Sequence, residues 1–251
     1  MALKEELEQQ GNWLFRYRGV LPIIILFIGT YLYWQTELHP ETFILEETPY
    51  EVYFEMICLA ISLSGLGIRV YTVGYTPANT SGRNTADGQV ADTLNTTGIY
   101  SVVRHPLYLG NFLMWLGVCL LTGNLWFIIA FCLLYWVYYE RIMFAEEQFL
   151  TGKFGTVYTE WASKTPAFLP DFKSFVKPTL SFSWKKVLKK EKNGLLALFL
   201  IFCMFDLSGE WIEQQESYNY FLITACLLSI FSYCILKYLK KKTRILNEAG
   251  R

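Results

Sequence analysis

Apolar residues gather along this chain in long blocks, each closed by a polar stretch punctuated with Gly, Pro, Asn or Thr. The blocks run from Gly19 to Trp34, Val52 to Val73, Tyr108 to Leu121, Leu125 to Tyr139, Gly194 to Phe205 with an extension to Trp211, and Tyr220 to Leu236. A hydrocarbon layer of about 30 Å takes roughly 20 helical residues. The pattern therefore predicts an all-α fold, a polytopic membrane bundle of about six transmembrane helices. The third and fourth blocks are short and are joined only by Thr122, Gly123 and Asn124, so they read as a tight helical hairpin that is tilted or crosses incompletely. Met1 to Arg18 is amphipathic and mixed in charge, and no small-residue cleavage site follows the first block. That block reads as a retained helix and not as a signal peptide.

Composition strengthens the membrane reading. Of 251 residues, 53% are hydrophobic and 18% charged, against about 25% charged in an average soluble domain. With 22 basic and 22 acidic residues the net charge is zero, so no global positive field would draw a nucleic acid. The charges are sorted. Glu37, Glu41, Glu46, Glu47 and Glu51 lie between the first two blocks, and Glu210, Glu213 and Glu216 between the last two, with no Lys or Arg among them. The basic residues fall on the alternate loops and at the ends, which by the positive-inside rule puts both termini and the long loops in the cytoplasm. In a bacterium that is the inner membrane. All six cysteines lie in the apolar blocks without a Cys-x-x-Cys spacing, as expected of packing residues.

Three regions follow: residues 1–96 with two helices and a polar loop rich in Gly, Thr and Asn; residues 97–171 with the hairpin; and residues 172–251 with a basic stretch and a final hairpin. Phe172 to Lys192 mixes Lys with Phe and Trp and reads either as an interfacial segment on anionic headgroups or as the basic flank of the fifth helix. Arg69 and Glu55, 14 positions and so about 21 Å apart on one helix, read as snorkelling flanks.

His39 and His105 are the only histidines, and with no His or Cys cluster a metal site lacks ligands. Gly65-Leu66-Gly67 lacks a third glycine and sits inside an apolar block, so a nucleotide-binding fingerprint is absent. Chemistry concentrates instead where the third helix begins, from Thr97 through Arg104-His105-Pro106-Leu107-Tyr108 to Gly110. Pro106 suits a first helical turn, and a helix start beside Arg104 and His105 favours an anion. After the fourth block come Glu140-Arg141 and Glu146-Glu147. A hairpin of equal arms returns the chain to its starting face, so the Arg-His-Pro entry and the Glu pair should meet.

Arg104-His105-Pro106-Leu107-Tyr108 with upstream Gly98 and Tyr100, then Glu146-Glu147, Leu150, Phe154-Gly155, Tyr158 and Pro166 and Pro170, resembles the isoprenylcysteine carboxyl methyltransferase and phospholipid methyltransferase superfamily. The resemblance implies an integral-membrane enzyme that binds S-adenosylmethionine in a cytoplasmic pocket through Tyr100, His105, Pro106, Tyr108, Glu146 and Glu147. Trp161 stands where the family often has Tyr. Arg104, with Arg83 or Arg141, would orient an anionic lipid acceptor. The Thr80-Ser81-Gly82-Arg83-Asn84-Thr85 loop resembles the bacterial lipid A phosphate methyltransferase branch, which makes a lipid A phosphate the favoured acceptor. A prenylcysteine-type carboxylate or a phospholipid headgroup is the alternative. Each residue also has a plainer reading: His105 as a hydrogen-bonding group at a helix end, Tyr100 and Tyr108 as an interfacial aromatic belt, Arg104 as a snorkelling cation. A membrane reductase using NADPH is the competing enzyme class.

Overall fold

The computed structural model describes residues 2–45, 48–78, 80, 89–214 and 218–251. Arg83, the Ser81 to Thr85 part of the polar loop, and Glu46 and Glu47 lie outside the described residues. Among those described there are eight α-helices and no strand: α1 (Leu3–Arg16), α2 (Val20–Leu38), α3 (Glu51–Tyr75), α4 (Pro106–Leu121), α5 (Leu125–Phe154), α6 (Thr156–Ala162), α7 (Trp184–Glu213) and α8 (Tyr220–Lys242). Five are long and apolar enough to cross a membrane, namely α2, α3, α5, α7 and α8. The sixth apolar block is α4, whose 16 residues extend about 24 Å and fall short of a full span. Large side chains such as Phe27, Trp126, Trp211 and Phe231 stay exposed around the bundle, as expected of a surface solvated by lipid.

Two helices run ten or more residues beyond the apolar blocks that announced them. α5 runs past Tyr139 to Phe154 because Glu140 to Lys153 are mostly good helix formers, and it stops where Gly155 takes φ 57°. α7 begins ten positions before the apolar run, at Trp184, where the Ser183 side chain caps the Lys186 amide. The basic stretch is thus largely the first turns of a helix, and two of its cations, Lys186 and Lys192, are buried.

The hairpin forms as expected. Gly123 supplies a φ of 61° that a side chain would strain, and Asn124 caps α5 by accepting from the Phe127 amide at 2.9 Å. α4 packs most extensively on α3. Their approach is close enough that a Cβ on Gly110 would lie 2.7 Å from Arg69 Cγ and 2.8 Å from the Gly65 carbonyl oxygen, the small-residue packing common between membrane helices. α1 lies along α5, with Phe15 buried and the Tyr138 hydroxyl donating to the Leu14 carbonyl at 3.1 Å. α7 packs on α2, α3 and α8.

The chain after α8 folds back onto the end of α3. Ala78 N–H donates to the Gly250 carbonyl at 2.9 Å, and the Arg251 guanidinium reaches the Gly74 and Thr76 carbonyls at 3.2 and 3.3 Å. The entry to α4 is held from the other side. Arg104 and His105 amides donate to Pro166 and Ala167 carbonyls at 2.9 and 3.1 Å, Asp171 N–H to Val102 at 2.9 Å, and Gly98 N–H to Val176 at 2.8 Å. The Pro-bounded segment after α6 is therefore a backbone brace for the Arg-His-Pro strip.

Candidate active site

The start of α4 and the polar half of α5 meet, as the hairpin geometry requires. His105, only 7% exposed, sits between the two glutamates: Nε2 lies 3.0 Å from Glu147 Oε1 and Nδ1 lies 3.5 Å from Glu146 Oε2. The Tyr108 hydroxyl donates to Glu146 Oε1 at 2.7 Å, and Arg104 Nε lies 3.1 Å from Glu147 Oε1. That Nε has no partner in hydrogen-bonding geometry, so its contact with Glu147 is an ion pair. Arg104 also donates through Nη1 to the Ala162 carbonyl at 2.9 Å, tying the strip to the end of α6. His105 and Tyr108 are stacked rings, and the Tyr108 ring continues into Tyr139 and Tyr135.

Carboxylates at both ring nitrogens of His105 are matched by two donors only in the imidazolium form. Burial pulls the His105 pKa down, but hydrogen bonds and charges from Glu146 and Glu147 together outweigh it and raise the value above the ordinary 6.5. Burial, with Glu146 nearby, pushes the Tyr100 hydroxyl well above its usual range, and burial does the same for Tyr158 with Glu147 close by. Neither phenol is a base at neutral pH.

These residues border a cavity of about 330 Å³, within the range of small-molecule sites. Tyr100, Arg104, His105, Pro106, Tyr108 and Glu146 line it. Glu147 is absent from the lining and instead holds His105 and Arg104 in place. Arg141 does not come to the cavity: its Nε donates to Gln10 Oε1 at 3.0 Å and its Nη1 to the Val137 carbonyl, against α1. Glu146 stands five positions after Arg141, a rotation of about 140° on a helix, so the two face different neighbours.

The cavity also takes residues that the motif did not single out. Arg69 does not snorkel: it forms a two-pronged pair with Glu191 of α7, at 2.8 and 2.9 Å, and donates to Asn111 at 2.6 Å. Arg69, Asn111 and Glu191 all line the cavity, with Lys186 and Lys190. Asn111 stands three positions after Tyr108, so the helical repeat of the motif could have pointed to it. Nothing local in the sequence links Arg69 to a partner 122 positions away. Gln89 and Trp161 border the same space, while Gln89 Oε1 and Trp161 Nε1 are buried without hydrogen-bond partners among the described groups. No group of three or more His, Cys, Asp or Glu suited to a metal occurs among the described residues.

The residues present fit a cationic, purine-bearing methyl donor. Glu146 offers negative charge at the cavity, and Tyr100, Tyr108 and Trp161 offer aromatic rings along its lining.

Comparisons with known proteins point the same way. Residues 56–157 match the phospholipid methyltransferase family. A protein-S-isoprenylcysteine O-methyltransferase of Schizosaccharomyces pombe is 38% identical over 77 residues, 31% of this chain and 33% of that protein. Protein-S-isoprenylcysteine O-methyltransferase B of Arabidopsis thaliana is 39% identical over 79 residues, 31% of this chain and 39% of that protein. A cobalt-zinc-cadmium resistance protein of Cupriavidus metallidurans is 35% identical over 114 residues, 45% of this chain and 50% of its own length. The chain thus spans between a third and a half of each of these relatives. No solved structure matches it. The matched segment contains α4, most of α3 and the Glu146–Glu147 pair.

Proposed function

We propose that the chain is an integral-membrane methyltransferase that takes its methyl group from S-adenosylmethionine and gives it to an anionic oxygen of a membrane-resident lipid. The observation that carries this reading is the His105 network with Glu146, Glu147, Arg104 and Tyr108, which lies inside the segment that matches the methyltransferase family and borders a cavity.

S-adenosylmethionine, when bound, supplies a methyl group activated on a sulfonium. Glu146 would meet the positive charge of the donor, and Tyr108 fixes that carboxylate. Glu147 holds His105 and Arg104 from behind, so that the lining is set before a ligand arrives. Arg104 orients the acceptor oxygen. A phosphate or carboxylate is ionised at neutral pH, so no general base is needed, and the raised Tyr100 and Tyr158 hydroxyls provide none. Bound donor and acceptor would displace water from the cavity, which would strengthen the attraction between a cationic donor and an anionic acceptor.

A lipid A phosphate remains the favoured acceptor, on the polar-loop resemblance. A prenylcysteine-type carboxylate is the second reading, supported by the names of the similar S. pombe and A. thaliana proteins. The donor is tested by titrating the detergent-solubilised chain with S-adenosylmethionine and with NADPH. Saturable binding of the first and none of the second is expected. The reverse would replace the methyltransferase with a reductase.

A further inference from the structure

The family match ends at residue 157, yet the cavity does not. Lys186, Lys190 and Glu191, on the first two turns of α7, complete its lining against Arg69 of α3. Their chemistry differs from that of the α4–α5 wall. There, carboxylates surround His105. On the α3–α7 side, Glu191 is consumed by its two-pronged pair with Arg69, and the two lysines add positive charge to a lining whose cations already include Arg104 and Arg18.

Lys186 carries most weight. It is 6% exposed, and its ammonium donates to three neutral oxygens: the Thr76 carbonyl at 2.6 Å, the Thr76 hydroxyl at 2.8 Å and the Pro77 carbonyl at 2.9 Å. No carboxylate among the described residues forms an ion pair with it. Its hydrogen bonds are satisfied while its charge is uncompensated. A buried, unneutralised cation beside a cavity lowers the free energy of an anion placed there. Lys190 stands one turn further along the same helix, at the exposed rim of the cavity.

We propose that the start of α7 is the acceptor-binding wall of this site: Lys186 sets a positive potential inside the cavity, and Lys190 at its rim contacts the anionic headgroup of the lipid acceptor. The pocket is then bipolar, with the Glu146 carboxylate of α5 for a cationic donor and ammonium groups of α7 for an anionic acceptor. The last two helices hold this wall in register, since α7 is fixed against α8 and its first turn is tied to the chain end through Ser183 and Glu248 and through Lys189 and Asn247. This inference rests on the methyl-transfer reading for the identity of the acceptor but not for the existence of an anion site.

The test uses the full chain in a nonionic detergent and dioctanoyl phosphatidic acid as probe, with dioctanoyl glycerol as the uncharged control and N-acetyl-S-farnesylcysteine as the carboxylate arm. Lys190→Glu is expected to weaken phosphatidic acid binding by about tenfold or more, the usual consequence of losing one charged contact. Lys190→Arg should keep it within about threefold. Lys185→Glu makes the same charge change on the same helix, at an exposed position outside the cavity lining, and should leave binding unchanged. S-adenosylhomocysteine should bind all three variants as it binds the parent chain. Equal sensitivity of the farnesylcysteine arm to Lys190→Glu would support the wall as a reader of either anion. Phosphatidic acid binding that is indifferent to Lys190→Glu, or no better than dioctanoyl glycerol in the parent chain, would overturn the proposal. A Lys190-dependent anion site in a chain that binds no S-adenosylhomocysteine would keep the wall and remove the donor.

Discussion

Glu147 and His105 meet at 3.0 Å although Glu147 does not line the cavity. The pair makes the site depend on a residue that no ligand need touch. Glu147 faces Arg104 as well, at 3.1 Å, so one carboxylate positions two lining groups. Glu147→Gln keeps the shape and removes the charge. It should weaken S-adenosylmethionine binding roughly tenfold to a hundredfold, with helical content unchanged. Calorimetric titration beside circular dichroism checks this, and unchanged affinity would reduce Glu147 to a structural group.

The charge on His105 gives a pH dependence with a definite sign. Its pKa is raised above 6.5 in the folded protein by the two glutamates, against the opposing effect of burial. A raised value means that the folded state binds the proton more tightly than the unfolded state. The resulting stabilisation is fully present below about pH 6.5 and is lost as pH rises through the folded value. Thermal unfolding of the solubilised chain should therefore show a loss of stability on the alkaline side of 6.5 that His105→Gln removes. An identical pH profile for that variant would contradict the imidazolium.

Close packing of α3 on α4 should be intolerant of side-chain volume. At Gly110 even a Cβ would press on Arg69 Cγ and the Gly65 carbonyl. Gly110→Leu is expected to cost about 1–3 kcal/mol from overpacking and to displace Arg69 from Asn111 and Glu191. A lowered midpoint of thermal unfolding in detergent is the readout. A variant as stable as the parent would show that the two helices can separate without loss.

Most of the bundle is legible in the sequence because lipid imposes long apolar runs, and a three-residue link leaves a hairpin little choice. The meeting of His105 with Glu146 and Glu147 follows from that hairpin alone. The sequence is less informative where a polar residue's partner is set by tertiary packing. Arg69 looks like a snorkelling flank until α7 brings Glu191 to it. The beginning of α7 is hidden because its first turns are basic, and hydrophobicity marks the membrane portion of a helix and not its whole length. Arg141 shows the opposite failing: it is near the motif in sequence, but helical rotation turns it to Gln10 on α1. Rotation could have been counted beforehand; the α3–α7 ion pair could not.

Sidedness is open to a direct test. Single-cysteine variants at Glu41 and Lys185, on a background without native cysteines, should label from opposite sides of sealed cells, with Lys185→Cys protected from an impermeant reagent. The acid-only loops and the basic alternate loops motivate this. Equal labelling from outside would overturn the orientation.

The cavity beside His105 should transfer a methyl group to a lipid anion. The most direct measurement incubates the purified chain, reconstituted with extracted membrane lipids, with S-adenosylmethionine labelled in its methyl group, and follows label into the lipid phase with the parent chain and with Glu146→Gln. Lipid-borne label is expected with the parent chain, as a phosphate or carboxylate methyl ester, with a fall of at least about tenfold in the variant. No label in lipid with the parent chain, or label carried equally by Glu146→Gln, would contradict it.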